Sequence, residues 1–345
     1  MRVEAAKVRA PEIGRVWLNS PPLSFRQLRG RVVLVDFWDY TCVNCIRTLP
    51  YVQAWHDRYR EKGLTVIGVH TPEFTFAQYE SNVDRAVRDF GLSYPIVIDS
   101  NYEIWKLFAC RCWPTKYLID KEGYLRFAHF GEGAYDEFES GIQELLREID
   151  PQVELPPIMK ALRDEDRPGA RCYRATPELY LGHRRGKIGN PSGFKEDEVA
   201  DYSWSNEPEE GVFYASGHWA STAEYMESAG EGEHRITLRY SGRGVNLVMA
   251  SPRAASCDVI VTQDGAPLTP RQATTDTRFR ASQGQEESYI PVSTARMYAV
   301  VDNPDFGTHA LELTCPADLA AFAFTFTSCV DPTLAGAPAG VPAHS

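Results

Sequence analysis

The first 150 residues alternate between short apolar runs and segments in which apolar residues recur every three or four positions. The run 31–38 is almost continuously apolar and rich in β-branched residues, which predicts a buried strand of a parallel sheet. From 44 to 62 the spacing becomes helical and stops at Gly63. Further strands are predicted at 64–70, 95–98, 116–119 and 125–130, and further helices at 83–90, 102–108 and 138–149. Strands that alternate with helices indicate an α/β domain, which we assign to residues 1–150.

The pattern changes after residue 150. Prolines and charges predict a linker at 151–170. Short apolar strands separated by Gly, Pro, Asp and Asn then follow, at 236–240, 245–249, 259–262, 297–301, 310–313 and 321–326. We therefore predict an all-β sandwich of the jelly-roll type at 171–331, followed by a flexible tail at 332–345.

Composition narrows the classes of function. The 345 residues carry a net charge of −11 and contain no basic run, which argues against nucleic-acid binding and against an anionic membrane surface. The sequence contains no run of eighteen consecutive apolar residues, so no membrane-spanning segment is predicted. The first twelve residues lack the apolar core of a signal peptide, so the sequence as it stands predicts a cytoplasmic protein, or an extracytoplasmic one if an N-terminal segment has been removed.

Two of the eight cysteines carry the strongest chemical signal. Cys42 and Cys45 form C-V-N-C at the predicted start of a helix, where free N–H groups and the helix dipole stabilise a thiolate. Cys45 lies one turn on and can close a disulfide, which indicates reversible redox exchange. No second C-x-x-C follows at zinc-site spacing, and we predict neither a metal nor a cofactor. A peroxiredoxin motif would need Pro at Val35 and Thr at Asp39.

The same region resembles a known family. V-D-F-W at 35–38, C-V-N-C, and Pro50 five residues after Cys45 resemble the thioredoxin superfamily, and W-P-T at 113–115 resembles its cis-proline loop. The longer strings W-D-Y-T-C-V-N-C-I-R-T-L-P-Y-V and W-P-T-K-Y-L-I-D-K-E-G resemble the TlpA/ResA-like oxidoreductases, most closely the soluble C-terminal region of DipZ-type proteins. The resemblance implies a thioredoxin fold over most of 14–150.

The resemblance also implies roles for individual residues. Burying the charge of Asp36 in an apolar strand costs free energy, which indicates a function. The resemblance implies that Asp36 moves the proton of Cys45. The alternative is that Asp36 lies at a strand end that reaches solvent. Glu73 would tune the dithiol, or else be an ordinary loop acid. Pro114 would be cis and present backbone groups to a partner. We place the partner contacts around the dithiol and the proline, at Trp38, Tyr40, Thr41, Val43, Asn44, Trp113 and Thr115.

The remaining cysteines and aromatic residues allow weaker inferences. We expect Cys110 and Cys112 to be unpaired, because one intervening residue makes a strained ring. Cys315 and Cys329 lie near the two closing strands and might be neighbours. The second half resembles a carbohydrate-binding module, whose sugar-stacking residues, or else core residues, would be Tyr202, Trp204, Tyr214, Trp219 and Tyr225.

These observations predict a thiol-disulfide oxidoreductase. Cys42 and Cys45 would exchange electrons with a partner protein and an unknown electron donor, and the sandwich would recognise the partner or a carbohydrate or protein ligand. The alternative is a binding protein without enzymatic activity, in which the dithiol is vestigial.

Overall fold

The computed structural model describes residues 8–14, 16–253, 256–282 and 284–330, without the side chain of residue 330. The predicted tail at 332–345 lies outside the described residues. The chain divides into two compact units, Met1–Arg167 and Pro168–Ser345. Within the described ranges, no helix is both long enough and apolar enough to cross a bilayer.

The first unit is an α/β layer structure. Its strands are β1 (Val16–Leu18), β2 (Val32–Trp38), β3 (Leu64–His70), β4 (Ile96–Ile98), β5 (Thr115–Ile119) and β6 (Leu125–Phe130). Its helices are α1 (Val43–Tyr59), α2 (Glu80–Asp89), α3 (Glu103–Leu107) and α4 (Tyr135–Ile149). The strand order is β1-β4-β3-β2-β5-β6, with β2, β3 and β4 parallel and the other pairs antiparallel.

Strand β2 lies in the middle of this sheet, and all seven of its residues are buried. Because successive side chains point to opposite faces, Leu34 and Trp38 belong to one core and Val35 and Phe37 to the other. Asp36 has the parity of Leu34 and Trp38, so it lies on the face that also contains Cys45. The strand pattern therefore decides which side of the sheet carries the chemistry.

The stretch predicted as a linker is partly attached to the first unit. Gln143 donates a hydrogen bond to the carbonyl of Pro156 at 2.7 Å, and the N–H of Met159 donates to Glu139 at 2.8 Å. The Tyr51 hydroxyl donates to Asp166 at 2.8 Å. These bonds explain why the boundary between the units falls after residue 167. The domain limits inferred from the sequence otherwise stay a prediction.

In the described residues of the second unit, the regular elements are all strands. They are β7 (Arg171–Cys172), β8 (Leu179–Tyr180), β9 (Val199–Tyr202), β10 (Phe213–Ser221), β11 (Met226–Ser228), β12 (His234–Ala250), β13 (Cys257–Gln263), β14 (Ala266–Pro267), β15 (Arg278–Ser282), β16 (Gln285–Val292), β17 (Arg296–Cys315), β18 (Ala320–Thr327) and β19 (Cys329–Val330). Eleven of these strands form one antiparallel sheet around a single apolar core, and β7 pairs with β19 separately. The predicted fold class, an α/β thioredoxin-like domain followed by an all-β sandwich, is confirmed.

Two strands are longer than the sequence predicted. Strand β12 includes both of the strands predicted at 236–240 and 245–249. Strand β17 likewise includes those predicted at 297–301 and 310–313. The segment predicted to separate 236–240 from 245–249 instead contains a bulge between Gly242 and Gly244. There β12 exchanges its neighbour β10 for β18. A Cβ on Gly244 would lie 2.6 Å from the Thr327 hydroxyl, so the close approach of β18 requires glycine.

One disulfide joins the first and the last strand of the second unit within the described residues. Cys172 and Cys329 are bonded and face each other across β7 and β19. Cys329 is therefore bonded to Cys172 and not to Cys315, the possible neighbour considered from the sequence, and Cys315 is a buried free thiol. The position of Cys329 near the closing strands gave no information about its disulfide partner, which lies 157 residues away in the sequence.

Candidate active site

The dithiol lies at the first turn of α1. Cys42 is the N-cap residue, and its Sγ accepts a hydrogen bond from the Cys45 N–H at 3.2 Å. The two Sγ atoms are 2.6 Å apart, so a small movement suffices to close a disulfide. Cys42 is half-buried, whereas Cys45 is fully buried and burial raises the pKa of its thiol well above the usual value. One sulfur is thus accessible, and the other keeps its proton until a base takes it.

Asp36 is a buried carboxylic acid on the same face of the sheet. Burial raises its pKa to about 7, and the nearby ammonium of Lys116 acts in the opposite direction. Asp36 and Lys116 are directly opposite each other in the β2–β5 register. The charge of Asp36 in turn raises the pKa of Cys45, which places the two groups within electrostatic range. A carboxyl group that titrates near neutral pH can accept and return a proton at physiological pH.

Lys116 is a buried residue that the sequence reasoning missed. Its Nζ donates to the carbonyl of Gly131 at 3.3 Å and lies 5.7 Å from the centre of the Tyr135 ring. Burial lowers its pKa, while Asp36 and Cys45 raise it. Burying a lysine in the apolar strand T-K-Y-L-I costs free energy, as burying Asp36 does in its strand. The argument used for Asp36 could therefore have identified Lys116 from the sequence.

Tyr94 lies against the same group of residues. Its ring is fully buried, and burial raises the pKa of its hydroxyl, with further contributions from Asp36 and Cys45. The ring occupies space that Gly68 leaves free, since a Cβ at Gly68 would be 2.9 Å from Tyr94 Cε2. Gly68 is the β3 residue opposite Asp36, so glycine keeps room for an aromatic wall beside the acid.

The predicted cis peptide bond is present between Trp113 and Pro114. The indole N–H of Trp113 donates to the Thr71 carbonyl at 3.1 Å, and its ring centre is 4.4 Å from that of Trp105. The Thr115 hydroxyl donates to the carbonyl of Cys112 at 2.7 Å. These contacts fix the loop around Pro114 on both of its sides.

The predicted partner-contact residues differ in exposure. Val43, Asn44 and Trp113 are half-buried, so part of each surface is open to a partner. The other predicted contact residues, Trp38, Tyr40, Thr41 and Thr115, are buried. Glu73 directly follows the short loop after β3, and its N–H donates to Asp39 at 3.0 Å.

Cys110 and Cys112 are both free thiols, as expected. The Cys110 sulfur points toward the Cys112 carbonyl at 3.7 Å, and burial raises the pKa of Cys110 to about 11. A buried thiol that holds its proton this strongly is a poor nucleophile at neutral pH. Within the described ranges, no three His, Cys, Asp or Glu side chains are grouped as a metal would require.

Most of the aromatic residues considered for sugar stacking are core residues. Tyr202, Tyr214 and Trp219 are buried, so their faces are not available to a ligand. Trp204 packs against Tyr214 and Tyr225 packs against Phe322, and both are half-buried. Aromatic content alone could not distinguish residues that stack on a sugar from residues that fill the core.

Comparisons with known proteins agree with this geometry. The AhpC/TSA family model matches residues 8–128, and the model described as thioredoxin like C-terminal domain matches residues 176–327. Thiol-disulfide oxidoreductase ResA of Halalkalibacterium halodurans is 31% identical over 130 residues, which are 38% of this chain and 70% of that protein. Protein DipZ of Mycobacterium tuberculosis is 36% identical over 268 residues, 75% of this chain. This chain spans only 37% of the DipZ length. Human NHL repeat-containing protein 2 is 36% identical over 126 residues, 36% of this chain and 17% of that protein.

Proposed function

The chain belongs to the TlpA/ResA/DipZ-like thiol-disulfide oxidoreductases of the thioredoxin superfamily, and from that premise we propose that Cys42 and Cys45 exchange electrons with a partner protein. The observation that carries this proposal is the difference between the two sulfurs. Cys42 is accessible at the helix N-terminus, while Cys45 is buried beside it with its proton retained. This is the arrangement that an attacking and a resolving thiol need.

In the first step, the Cys42 thiolate attacks one sulfur of the partner's disulfide. The partner's S–S bond breaks, a mixed disulfide forms between Cys42 and the partner, and the leaving sulfur takes up a proton. The N–H groups at the start of α1 stabilise the negative charge on Cys42 before the attack. Val43 and Asn44 directly follow Cys42 and Trp113 directly precedes Pro114, and all three retain exposed surface for the partner.

In the second step, Asp36 accepts the proton of Cys45. The resulting thiolate attacks the Cys42 sulfur, the bond to the partner breaks, and the partner leaves as a thiol with two electrons gained. Cys42 and Cys45 are left as a disulfide. Lys116 favours the ionised form of Asp36, which is the form that can accept a proton. The same steps in reverse oxidise a partner dithiol.

Two further residues complete the proposed site. We propose that the segment around the cis Trp113–Pro114 bond presents backbone groups to an extended partner segment. Glu73 adjoins the site through its backbone bond to Asp39, and we propose that its carboxylate tunes the dithiol.

The sandwich is proposed to select the partner. It contributes no C-x-x-C, and its free cysteines Cys257 and Cys315 are separate in sequence, with pKa values raised by burial. The Cys172–Cys329 disulfide favours an oxidising compartment over the cytoplasmic location considered from the sequence.

A trapping experiment tests the proposal. In the Cys45→Ser variant the second step is blocked, so a partner attacked by Cys42 should stay attached through a disulfide. The trapped protein should appear on non-reducing gels and be released by dithiothreitol. The matched Cys42→Ser variant should trap nothing. If Cys42→Ser trapped as much protein as Cys45→Ser, the assignment of the attacking sulfur would be wrong.

A further inference from the structure

We propose that Asp39 is a positioning residue of this active site. Its buried carboxylate joins the turn that carries Cys42 to the loop that follows β3, and through that loop to the segment around Pro114. The inference rests on the proposed function, because it concerns how the attacking sulfur and the partner-binding loop are held relative to each other.

One oxygen of Asp39 organises the turn before the helix. Oδ1 accepts the Thr41 N–H at 2.6 Å and also the Thr41 hydroxyl. The backbone carbonyl of Asp39 accepts the Cys42 N–H at 3.3 Å. The turn that ends at Cys42 is therefore closed by Asp39 from both its side chain and its main chain.

The other oxygen reaches the loop after β3. Oδ2 accepts the Glu73 N–H at 3.0 Å and lies 3.4 Å from His70 Nε2. His70 is fully buried between two rings, with ring centres 5.2 Å from Trp38 and 5.5 Å from Tyr40. A carboxylate with no exposed surface is stable only when such donors surround it.

The same loop also holds the proline segment. Thr71 donates its N–H to the Trp38 carbonyl at 3.0 Å, and its own carbonyl accepts the indole N–H of Trp113 at 3.1 Å. Trp113 is the residue that precedes Pro114 in the cis bond. Residues 71–73 therefore contact the Asp39 carboxylate at one end and the proline segment at the other.

This role differs from that of Asp36. Asp36 is placed to exchange a proton with Cys45, whereas both Asp39 oxygens are occupied by backbone and side-chain donors. Loss of Asp39 should therefore change the relative position of Cys42 and Pro114, and not the supply of protons.

The Asp39→Asn variant separates these effects. The amide oxygen can still accept from Thr41, so the turn is retained, but the amide NH₂ cannot accept from the Glu73 N–H. We expect kcat/KM for insulin disulfides to fall about tenfold, which corresponds to the loss of one buried hydrogen bond to a charged group. The rate with a small aromatic disulfide reagent should change less than about threefold, because that reagent needs only Cys42. The exposed Asp57 provides a matched control, and Asp57→Asn should behave as wild type with both substrates.

A double-mutant cycle provides the second measurement. Trp113→Phe keeps an aromatic ring but removes the bond to Thr71, so it breaks the other end of the same connection. The two variants combined should lose little more insulin activity than either alone. If Asp39→Asn does not fold, His70→Phe takes its place in the cycle, because it removes the imidazole nitrogen that lies 3.4 Å from Oδ2 and keeps the ring packing.

Three results would overturn the inference: equal losses with both substrates, no loss with insulin, or additive losses in the cycle. Failure of the proposed function looks different. In that case the wild-type chain itself would leave insulin disulfides intact, or Cys42→Ser would retain the activity.

Discussion

The two cysteine pairs of this chain differ in their separation along the sequence and in their surroundings. Cys42 and Cys45 are three positions apart at a helix N-terminus, with one sulfur accessible and a titratable acid nearby. Cys172 and Cys329 are 157 positions apart and join two short strands. In the chain-entropy description, closing the long loop stabilises a fold by about 5 kcal/mol, against about 2 kcal/mol for the short ring. A pair that must open and close repeatedly benefits from a small change in stability, and a pair that holds a module together benefits from a large one.

The largest expected effect separates the pairs by activity. Cys42→Ser should reduce insulin-disulfide reduction to the uncatalysed rate, because Cys42 is the proposed attacking thiol of the only C-x-x-C in the sequence. Cys172→Ser should keep the activity within about twofold of wild type. Turbidity of reduced insulin measures both. A large loss in Cys172→Ser would show that the second pair takes part in catalysis, and the comparison would fail.

The next effect separates the pairs by stability. Cys172→Ser should lower the free energy of unfolding of the second unit by about 2–5 kcal/mol, since the unfolded chain is no longer constrained. Urea denaturation of the full chain, without reductant, measures this change. Cys257→Ser is a matched control, because it makes the same substitution at a half-buried free thiol of that unit and should cost less than about 1 kcal/mol. Equal losses in the two variants would mean that the disulfide contributes nothing beyond packing.

The third effect concerns the acid that only the first pair possesses. Asp36→Asn should slow resolution of the mixed disulfide about 10- to 100-fold at pH 8, while its formation changes little. The wild-type resolution rate should rise with pH through about 7 as Asp36 loses its proton, and the variant should lack that rise. Stopped-flow mixing with a disulfide peptide resolves the two steps. Equal slowing of both would remove Asp36 from the mechanism.

The last effect is the pH dependence of stability that follows from the raised pKa of Asp36. The folded chain keeps the Asp36 proton up to about pH 7, whereas the unfolded chain releases it near pH 4. The stability contributed by the protonated acid is therefore complete below about pH 4 and lost as the pH rises to about 7. Asp36→Asn should remove this slope from the free energy of unfolding of the first unit. A slope that persists in Asp36→Asn would assign it to another group.

The chemistry of the first unit was predictable because it is local in sequence. Two cysteines one turn apart, a strand before them and a carboxylate inside that strand all lie within the fifteen residues 31–45. The cis-proline segment was found through family resemblance rather than through spacing. Asp39 and Lys116 were missed for different reasons. Asp39 acts through contacts with residues 70–73, which lie on another strand and its loop, and Lys116 was overlooked although its strand is as apolar as that of Asp36.

The second unit was harder to predict because its information is long-range. Glycines between 241 and 244 are compatible with a turn or a bulge, and only the neighbouring strands decide which one forms. The partner of Cys329 depends on the pairing of β7 with β19, which no local pattern specifies. Burial of Tyr202 and Trp219 likewise depends on which face of each strand meets the core.

The pairing of β7 with β19 has a consequence for modularity. Within the described residues, β7 and β19 are the first and last strands of the second unit, and their pairing brings residues 171 and 330 to one place. A unit of that kind can be transplanted between proteins, or inserted into a surface loop of a host, without separating the host's own chain ends. The Cys172–Cys329 disulfide links β7 and β19 covalently at that place.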